Sequence, residues 1–276
     1  MSTWDSDVPP PPMALSPAER RRAIWRFALL ALGLLAGMAA LLLARGVEHI
    51  THAGARALSP HVVRAYCRFF LRVIGLRVQA QGTPMRGRGA LVANHASWLD
   101  IFVLNALTPA MFVAKAEVAG WPGIGPLARL TGTVFIRRDK REAQAQTHIL
   151  AQEFRRGHRL VFFPEGTSTD STLVLPFKPT LFQAFLAPDM PTGMEVQPVS
   201  LRYHAPEGAD PRFYGWWGGM EFATHFLRVL GQSPQGGVTV TCHSPIACTA
   251  TTTRKALAQQ AEAAVQAGFA DAQARA

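Results

Sequence analysis

The sequence predicts an α/β domain with a mostly parallel or mixed sheet flanked by helices, preceded by an N-terminal membrane-associated helical segment. Three observations carry that prediction. From about residue 78, short apolar runs alternate with loops and helical stretches, the pattern of strands joined by helical crossovers. Upstream, an uncharged stretch dominated by Leu and Ala runs from Phe27 to Ala44, behind Arg20, Arg21, Arg22 and Arg26. Between the two, residues 62–76 repeat apolar side chains at three- and four-residue spacing.

Bulk properties fit this division. The chain has 276 residues, long enough for one α/β domain with a proper core plus an appendage. Hydrophobic residues make up 49%, which excludes global disorder. The formal net charge of +10 suits anionic partners such as nucleic acid, anionic lipid headgroups or phosphorylated substrates. Nucleic acid is not the expected partner, because the arginines accompany long apolar segments rather than polar, aromatic-studded ones. Cys67, Cys242 and Cys248 are odd in number and lack CxxC spacing, so they read as reduced thiols of a cytosolic domain.

Three territories follow in order. Residues 1–19, with prolines at 9–12 among small and polar residues, read as a disordered Pro-rich tail. Residues 20–77 read as the membrane-anchoring helical segment. The 18 residues from Phe27 to Ala44 are at the short end of a bilayer span, for which about 20 is usual. They are too long for the apolar region of a cleaved signal, and no small-x-small cleavage site ends the run. Arginines on both flanks, with Arg45, Arg56, Arg64, Arg68, Arg72 and Arg77 following, place both sides in the cytoplasm. A segment that enters the membrane without crossing it, or one paired with a second buried helix, meets that condition.

Residues 62–76 supply the second helix. Val62, Val63, Tyr66, Phe69, Phe70, Val73 and Ile74 form one stripe, and Arg64, Arg68 and Arg72 line another face. This reads as a helix lying in the lipid interface; the alternative is a helix packed on the domain with a solvated Arg face.

The third territory, residues 78–276, is the α/β domain. Strands are expected at 90–93, 111–114, 134–136, 160–163, 196–201 and 238–241. A helix is expected over 141–156, with Ala143, Thr147, Leu150 and Phe154 on one face, and another over about 253–268. No internal repeat is present.

Ligands of open α/β sheets collect beyond the carboxyl ends of the strands. The polar signals fall there: Asn94-His95 through Asp100 after one strand, Pro164-Glu165-Gly166-Thr167-Ser168-Thr169 after another, Arg137-Arg138 after a third. Five residues apart on one continuous helix, His95 and Asp100 would not meet. They meet if His95 sits in the turn and the helix begins after it. Ser97 would then be the N-cap and Asp100 would hold the capping-box position, a purely structural rival role. The chemical role is that of a carboxylate fixing the tautomer of an imidazole general base. The sequence carries no G-x-S-x-G elbow and no HExxH, P-loop or dinucleotide-binding glycine signature. A base without a protein nucleophile implies direct attack by a substrate hydroxyl or water.

These residues fall into four blocks that resemble, in order, the motifs of the glycerolipid acyltransferases, the PlsC-like 1-acylglycerol-3-phosphate acyltransferase family. The first is Asn94-His95-x4-Asp100. The second is Lys115-x-Glu117 with Trp121-Pro122-x-x-Gly125 and Gly132-Thr133-Val134-Phe135-Ile136-x-Arg138. The third is Phe163-Pro164-Glu165-Gly166-Thr167, and the fourth Val196-Gln197-Pro198-Val199. The resemblance covers roughly residues 75–205. It implies that His95, oriented by Asp100, deprotonates a lysolipid hydroxyl, which attacks an acyl thioester of acyl carrier protein or coenzyme A. It further implies that Arg138 and the Glu165-Gly166-Thr167 loop seat the acceptor's head group, with Lys178 as a second cation candidate. The guanidinium of Arg138 suits phosphate, whereas Glu165 suits orientation of a cation or hydroxyl. No metal or other cofactor is implied, and the expected setting is the inner membrane, with the catalytic domain facing the cytoplasm.

One departure bears on the acceptor. Ser168 stands where the family's third motif usually continues with Arg, and Pro179-Thr180 where a Lys-Gly pair is common. Ser168-Thr169-Asp170, the segment Tyr214–Met220 and Thr224-His225-Phe226 resemble the lyso-ornithine lipid acyltransferase subgroup. The aromatics of that region also fit a packed flap or a membrane-facing loop. The acceptor is thus open between 1-acylglycerol-3-phosphate and lyso-ornithine lipid. Different classes of function are a hydrolase whose base activates water on a thioester or ester, and a noncatalytic lipid-binding module.

Overall fold

The apolar runs of the third territory form the centre of a mixed sheet in the computed structural model, which describes residues 4–51, 58–121, 124–136, 143–186, 190–249 and 251–274. The strands are β1 (Arg77–Gln81), β2 (Gly89–Ala93), β3 (Met111–Lys115), β4 (Val134–Ile136), β5 (Leu160–Phe162), β6 (Glu195–His204), β7 (Gly237–Cys242) and β8 (Ile246–Ala247). Their order is β1-β7-β6-β2-β5-β3-β4, with β8 paired to β6 off this path. β2 lies parallel to both β5 and β6, while β6 and β7 are antiparallel.

β2 shows why the sequence pattern was readable. All five of its residues are buried, and they alternate between two cores. Leu91 and Ala93 face one core, Ala90 and Val92 the other. The first core is closed by helices α1 (Pro17–Thr51), α2 (Ser59–Ile74), α3 (Leu99–Leu107) and α6 (Phe222–Gly231). The second is closed by α5 (Ala143–Arg155), α7 (Arg254–Ala274) and the 3-10 segment 179–186, with Leu150, Phe154, Phe182 and Phe185 at its centre. The short α4 (Ile124–Thr131) leads into β4.

The segment expected to anchor the chain is a pair of helices. α1 has 35 residues, so it is about 52 Å long. It is apolar enough to cross a membrane, and most of its apolar window is unburied. α2 packs back along it at Gly33 and Gly37, a G-x-x-x-G spacing that brings the helices close. A Cβ on Gly33 would lie 2.3 Å from the Phe69 ring. Tyr66 lies against Gly37.

The arginines of both helices reach the domain. Arg22 donates to the Gly231 carbonyl at 2.6 Å, and Arg26 to the carbonyls of Leu230 and Gln232 at 2.9 and 2.8 Å. These carbonyls are at the C-terminus of α6, where a helix leaves acceptors unsatisfied. Arg64 and Arg68 both donate to the Ala106 carbonyl at the end of α3. Glu48, near the end of α1, accepts from Leu58 N and Ser59 N at the start of α2.

Two expectations are amended by this packing. Phe70 and Ile74 of the stripe expected over 62–76 are buried on the domain with their neighbours Cys67 and Leu71, and Arg64 and Arg68 of its Arg face both donate to the end of α3. The disordered Pro-rich tail expected over 1–19 is, in its described part, an extended segment hydrogen-bonded to the domain, and residue 17 already begins α1. β1 and β8 were not expected. β1 is a largely exposed edge strand without an apolar signature.

Candidate active site

The chain leaves β2 at Ala93 and turns before α3 begins at Leu99, and the turn carries Asn94 and His95. Asn94 is locked to the neighbouring strand: its amide donates to the Leu201 carbonyl, and its carbonyl accepts from Leu201 N. β6 runs past the end of its pairing with β2 at Val199, so its last residues overhang the turn.

His95 and Asp100 meet. His95 Nδ1 lies 2.7 Å from Asp100 Oδ2. The same Oδ2 accepts from Ala96 N and Ser97 N at 2.9 and 3.0 Å, and Oδ1 accepts from Tyr203 Oη at 2.7 Å. All four partners are donors, the set a carboxylate takes. The contacts of both roles foreseen for Asp100 are present together: its side chain tethers the backbone before α3 and contacts the imidazole. Ser97 does not act as the side-chain cap; its hydroxyl is buried and makes no hydrogen bond.

Asp100 is fully buried, whereas the His95 side chain is 20% exposed and lines a cleft. The His95 ring stacks on Phe163, with centroids 4.1 Å apart and planes 12° from parallel. With Nδ1 donating to Asp100, Nε2 is left as the basic nitrogen.

The loop after β5 contributes differently from expectation. Glu165 is 1% exposed, and both its oxygens are engaged by backbone, Oε1 by His95 N at 2.8 Å and Oε2 by Leu175 N at 3.2 Å. Burial pushes its carboxyl up to about 8, with the two N–H groups and Lys178 pulling the other way. Glu165 thus braces the His95 turn and does not face the cleft, which corrects its expected contact with the acceptor. Gly166 and Thr167 do line the cleft, and Gly166 adopts φ +79°, ground that glycine holds without strain. Lys178 is exposed and its backbone N–H bonds the Pro164 carbonyl. Arg138 lies outside the described residues.

Ser168 and the aromatic segment close the other wall. The Ser168 hydroxyl donates to the Trp216 carbonyl, Trp216 N donates to the Ala96 carbonyl, and Thr169 N donates to the His95 carbonyl. Tyr214 and Trp217 are buried, so the aromatics form a packed wall, and Trp216 and Trp217 line the cleft. His225 is fully buried, accepting from Trp98 Nε1 at 2.9 Å, with Nε2 toward the Phe213 carbonyl. Desolvation holds it at about 4, so it is neutral and structural.

The cleft has a volume of about 1300 Å³ and runs from His95 along β3 to the α1–α2 pair. Its middle is apolar, with Phe102, Phe112, Val113 and Leu127, and Met38 and Leu41 of α1 reach it. An aliphatic chain fits such a lining. Among the described residues, no group of three His, Cys, Asp or Glu side chains is arranged to hold a metal.

Tyr203 was missed by sequence reasoning. It lies 103 residues from Asp100, and only the overhang of β6 brings them together. The strand expected over 196–201 stops short of Tyr203, and nothing in the spacing pointed to its partner.

Comparisons with known proteins agree with this geometry. The Acyltransferase family model matches residues 75–202. The chain is 50% identical over 266 residues to the lyso-ornithine lipid O-acyltransferase of Rhodobacter capsulatus, covering 96% of each chain. It is 39% identical over 137 residues to the 1-acyl-sn-glycerol-3-phosphate acyltransferase of Neisseria gonorrhoeae, covering 49% of this chain and 52% of that one. Its fold matches the crystal structure of the 1-acyl-sn-glycerophosphate acyltransferase PlsC of Thermotoga maritima with a TM-score of 0.62 at 20% identity, covering 92% and 99% of the two chains. A histidine–carboxylate pair at a strand end and an apolar cleft running to the α1–α2 pair are thus set in a relationship that spans nearly the whole length, and the chain belongs to the glycerolipid acyltransferase family.

Proposed function

We propose that this lysolipid acyltransferase acts on lyso-ornithine lipid, using an acyl thioester of acyl carrier protein or coenzyme A. His95 Nε2 takes the proton of the acceptor hydroxyl, whose oxygen attacks the thioester carbonyl carbon. Collapse of the tetrahedral intermediate breaks the C–S bond, and the leaving thiolate takes the proton back from His95. Asp100 holds the ring and stabilises the transient imidazolium. Thr167 and Gly166 seat the acceptor and the apolar cleft takes an acyl chain, with Arg138 as a further head-group contact; Lys178, also expected there, does not line the cleft. The enzyme works at the inner membrane, with this domain on the cytoplasmic side.

The wall beside the His95 turn carries the choice of acceptor. Ser168, where a phosphate-binding family member has a cation, uses its hydroxyl on the Trp216 carbonyl, tying the loop after β5 to the aromatic segment. The name of the Rhodobacter relative points the same way. Purified protein offered lysophosphatidic acid and lyso-ornithine lipid side by side, with one acyl-carrier-protein thioester, should acylate the ornithine lipid. Preferential acylation of lysophosphatidic acid refutes the head-group assignment. Release of free fatty acid without any acylated lysolipid refutes the transferase mechanism.

A further inference from the structure

Residues 4–11 take no part in the chemistry above, yet they touch both lips of its cleft. Trp4 N donates to Thr167 Oγ1 at 3.3 Å, across 163 residues of sequence. Asp5 sits against Gly218, where a Cβ would lie 2.4 Å from Asp5 Oδ1; Gly218 also has φ +56°. Thr167, in the loop after β5, and Gly218, in the loop before α6, both line the cleft. Each of these loops is bonded to the catalytic turn, one through Thr169 N to the His95 carbonyl, the other through Trp216 N to the Ala96 carbonyl. The segment therefore crosses from lip to lip at the His95 end.

Its course is held along its length. Arg212 donates to the carbonyls of Val8 and Pro9 at 3.2 and 3.3 Å, and Arg228 to that of Pro11 at 3.4 Å. A proline run favours an extended form without internal hydrogen bonds, leaving its carbonyls open to such donors. At the far end Ser16 and Glu19 form a reciprocal capping box, Ser16 N to Glu19 Oε2 at 2.7 Å and Glu19 N to Ser16 Oγ at 3.3 Å. This fixes where the chain enters α1, which Arg22 and Arg26 pin to α6.

We infer that residues 4–11 form a strap completing the acceptor side of the cleft, with Trp4 and Asp5 as positioning residues that hold the Thr167 and Gly218 lips at the spacing the lysolipid head group requires. The strap's bonds are few and long, and most of its residues are exposed, so it opens without disturbing the core and lets the acceptor enter. This rests on the lysolipid acyltransferase reading but not on the identity of the head group.

The test measures initial rates for the wild-type chain, a chain lacking residues 2–11, and the full-length double variant Trp4→Pro/Asp5→Ala, in which proline removes the N–H that Thr167 accepts. Each is assayed with the acyl thioester and with whichever lysolipid the wild type acylates, so a wrong head-group assignment leaves this test intact. The expected result is a rise of about tenfold in KM for the lysolipid in both altered chains, equivalent to about 1.4 kcal/mol. KM for the thioester and kcat at saturating acceptor should stay within about twofold. A thermal melt reports whether the shortened chain folds; if it does not, the double variant alone decides. An unchanged acceptor KM in the double variant overturns the proposal, as does an equal rise in both KM values. So does a fall in acceptor KM, which would mean that the strap occupies the acceptor's place.

Discussion

Asp100 faces four donors in a site without water access, and that fact sets what substitution there must do. In Asp100→Asn the amide nitrogen, itself a donor, must face at least one of His95 Nδ1, the Ala96 and Ser97 amides or Tyr203 Oη. Relief at the histidine puts the proton on Nε2, the nitrogen that should receive the substrate's proton. We expect kcat to fall by about 10³–10⁴ with the fold retained, measured by steady-state rates beside circular dichroism. Tyr203→Phe removes one donor and leaves Asp100 Oδ1 unpaired in a buried site, which should cost about 1–3 kcal/mol of stability. A variant that melts like the wild type would deny that bond any weight. Glu165 gives a pH signature. Burial raises its folded value to about 8, above the ordinary carboxylate range near 4.5. The stabilisation from holding it protonated is fully present below the unfolded value, and is lost as pH rises toward about 8. Glu165→Gln, which stays neutral, should flatten the wild type's fall in melting temperature between those limits. An unaltered slope would assign the fall to other groups.

At the scale of elements, four of the arginines that the sequence offered as topology signals, Arg22, Arg26, Arg64 and Arg68, bond helix-end carbonyls. Arg26 is buried and bridges two carbonyls past the end of α6, so Arg26→Met should leave both acceptors without their charged donor. A loss of about 2–3 kcal/mol is expected, read as a drop in melting temperature in detergent. Arg20→Met, on an exposed residue of the same helix, should change it by less than about 0.5 kcal/mol. Legibility followed the physics of each element. β2, β5 and the first half of β6 are buried on both faces and spell themselves as apolar runs, and the pairing of His95 with Asp100 is local enough for spacing to expose it. β1 is a short edge strand with one face open, so no apolar signal marks it. α6 hid because its aromatics, which pack on Trp98 and Trp216, look like loop or membrane-facing residues when their neighbours are unknown. The engagement of Glu165 by backbone could not be read at all, since a motif names residue types and not the direction in which they point.

For the whole molecule, the geometry of the α1–α2 pair constrains how the proposed membrane attachment can be made. The N-terminal end of α1 is tied to α6 through Arg22 and Arg26, and the strap before it reaches Thr167. α2 runs back along α1 and ends in the core at Ile74. Both ends of the helical pair are therefore fixed to one side of the same domain, and a full crossing would have to break the α6 caps. What remains for the membrane is the far part of the pair and the open face of α1, where Leu35, Leu42, Leu43, Val47 and Ile50 are exposed. Inserted into one leaflet, as the proposed function requires, that surface would bring the end of the apolar cleft lined by Met38 and Leu41 to where acyl chains reside. A pair inserted in this way leaves the N-terminus and the C-terminal helix on the same side. Protease added to sealed vesicles should cleave epitope tags at residue 1 and residue 276 together from the side bearing the domain, and neither from the other side. Cleavage of the N-terminal tag from the opposite side would require α1 to span the bilayer, and would break the link between α1 and α6 on which this reading stands.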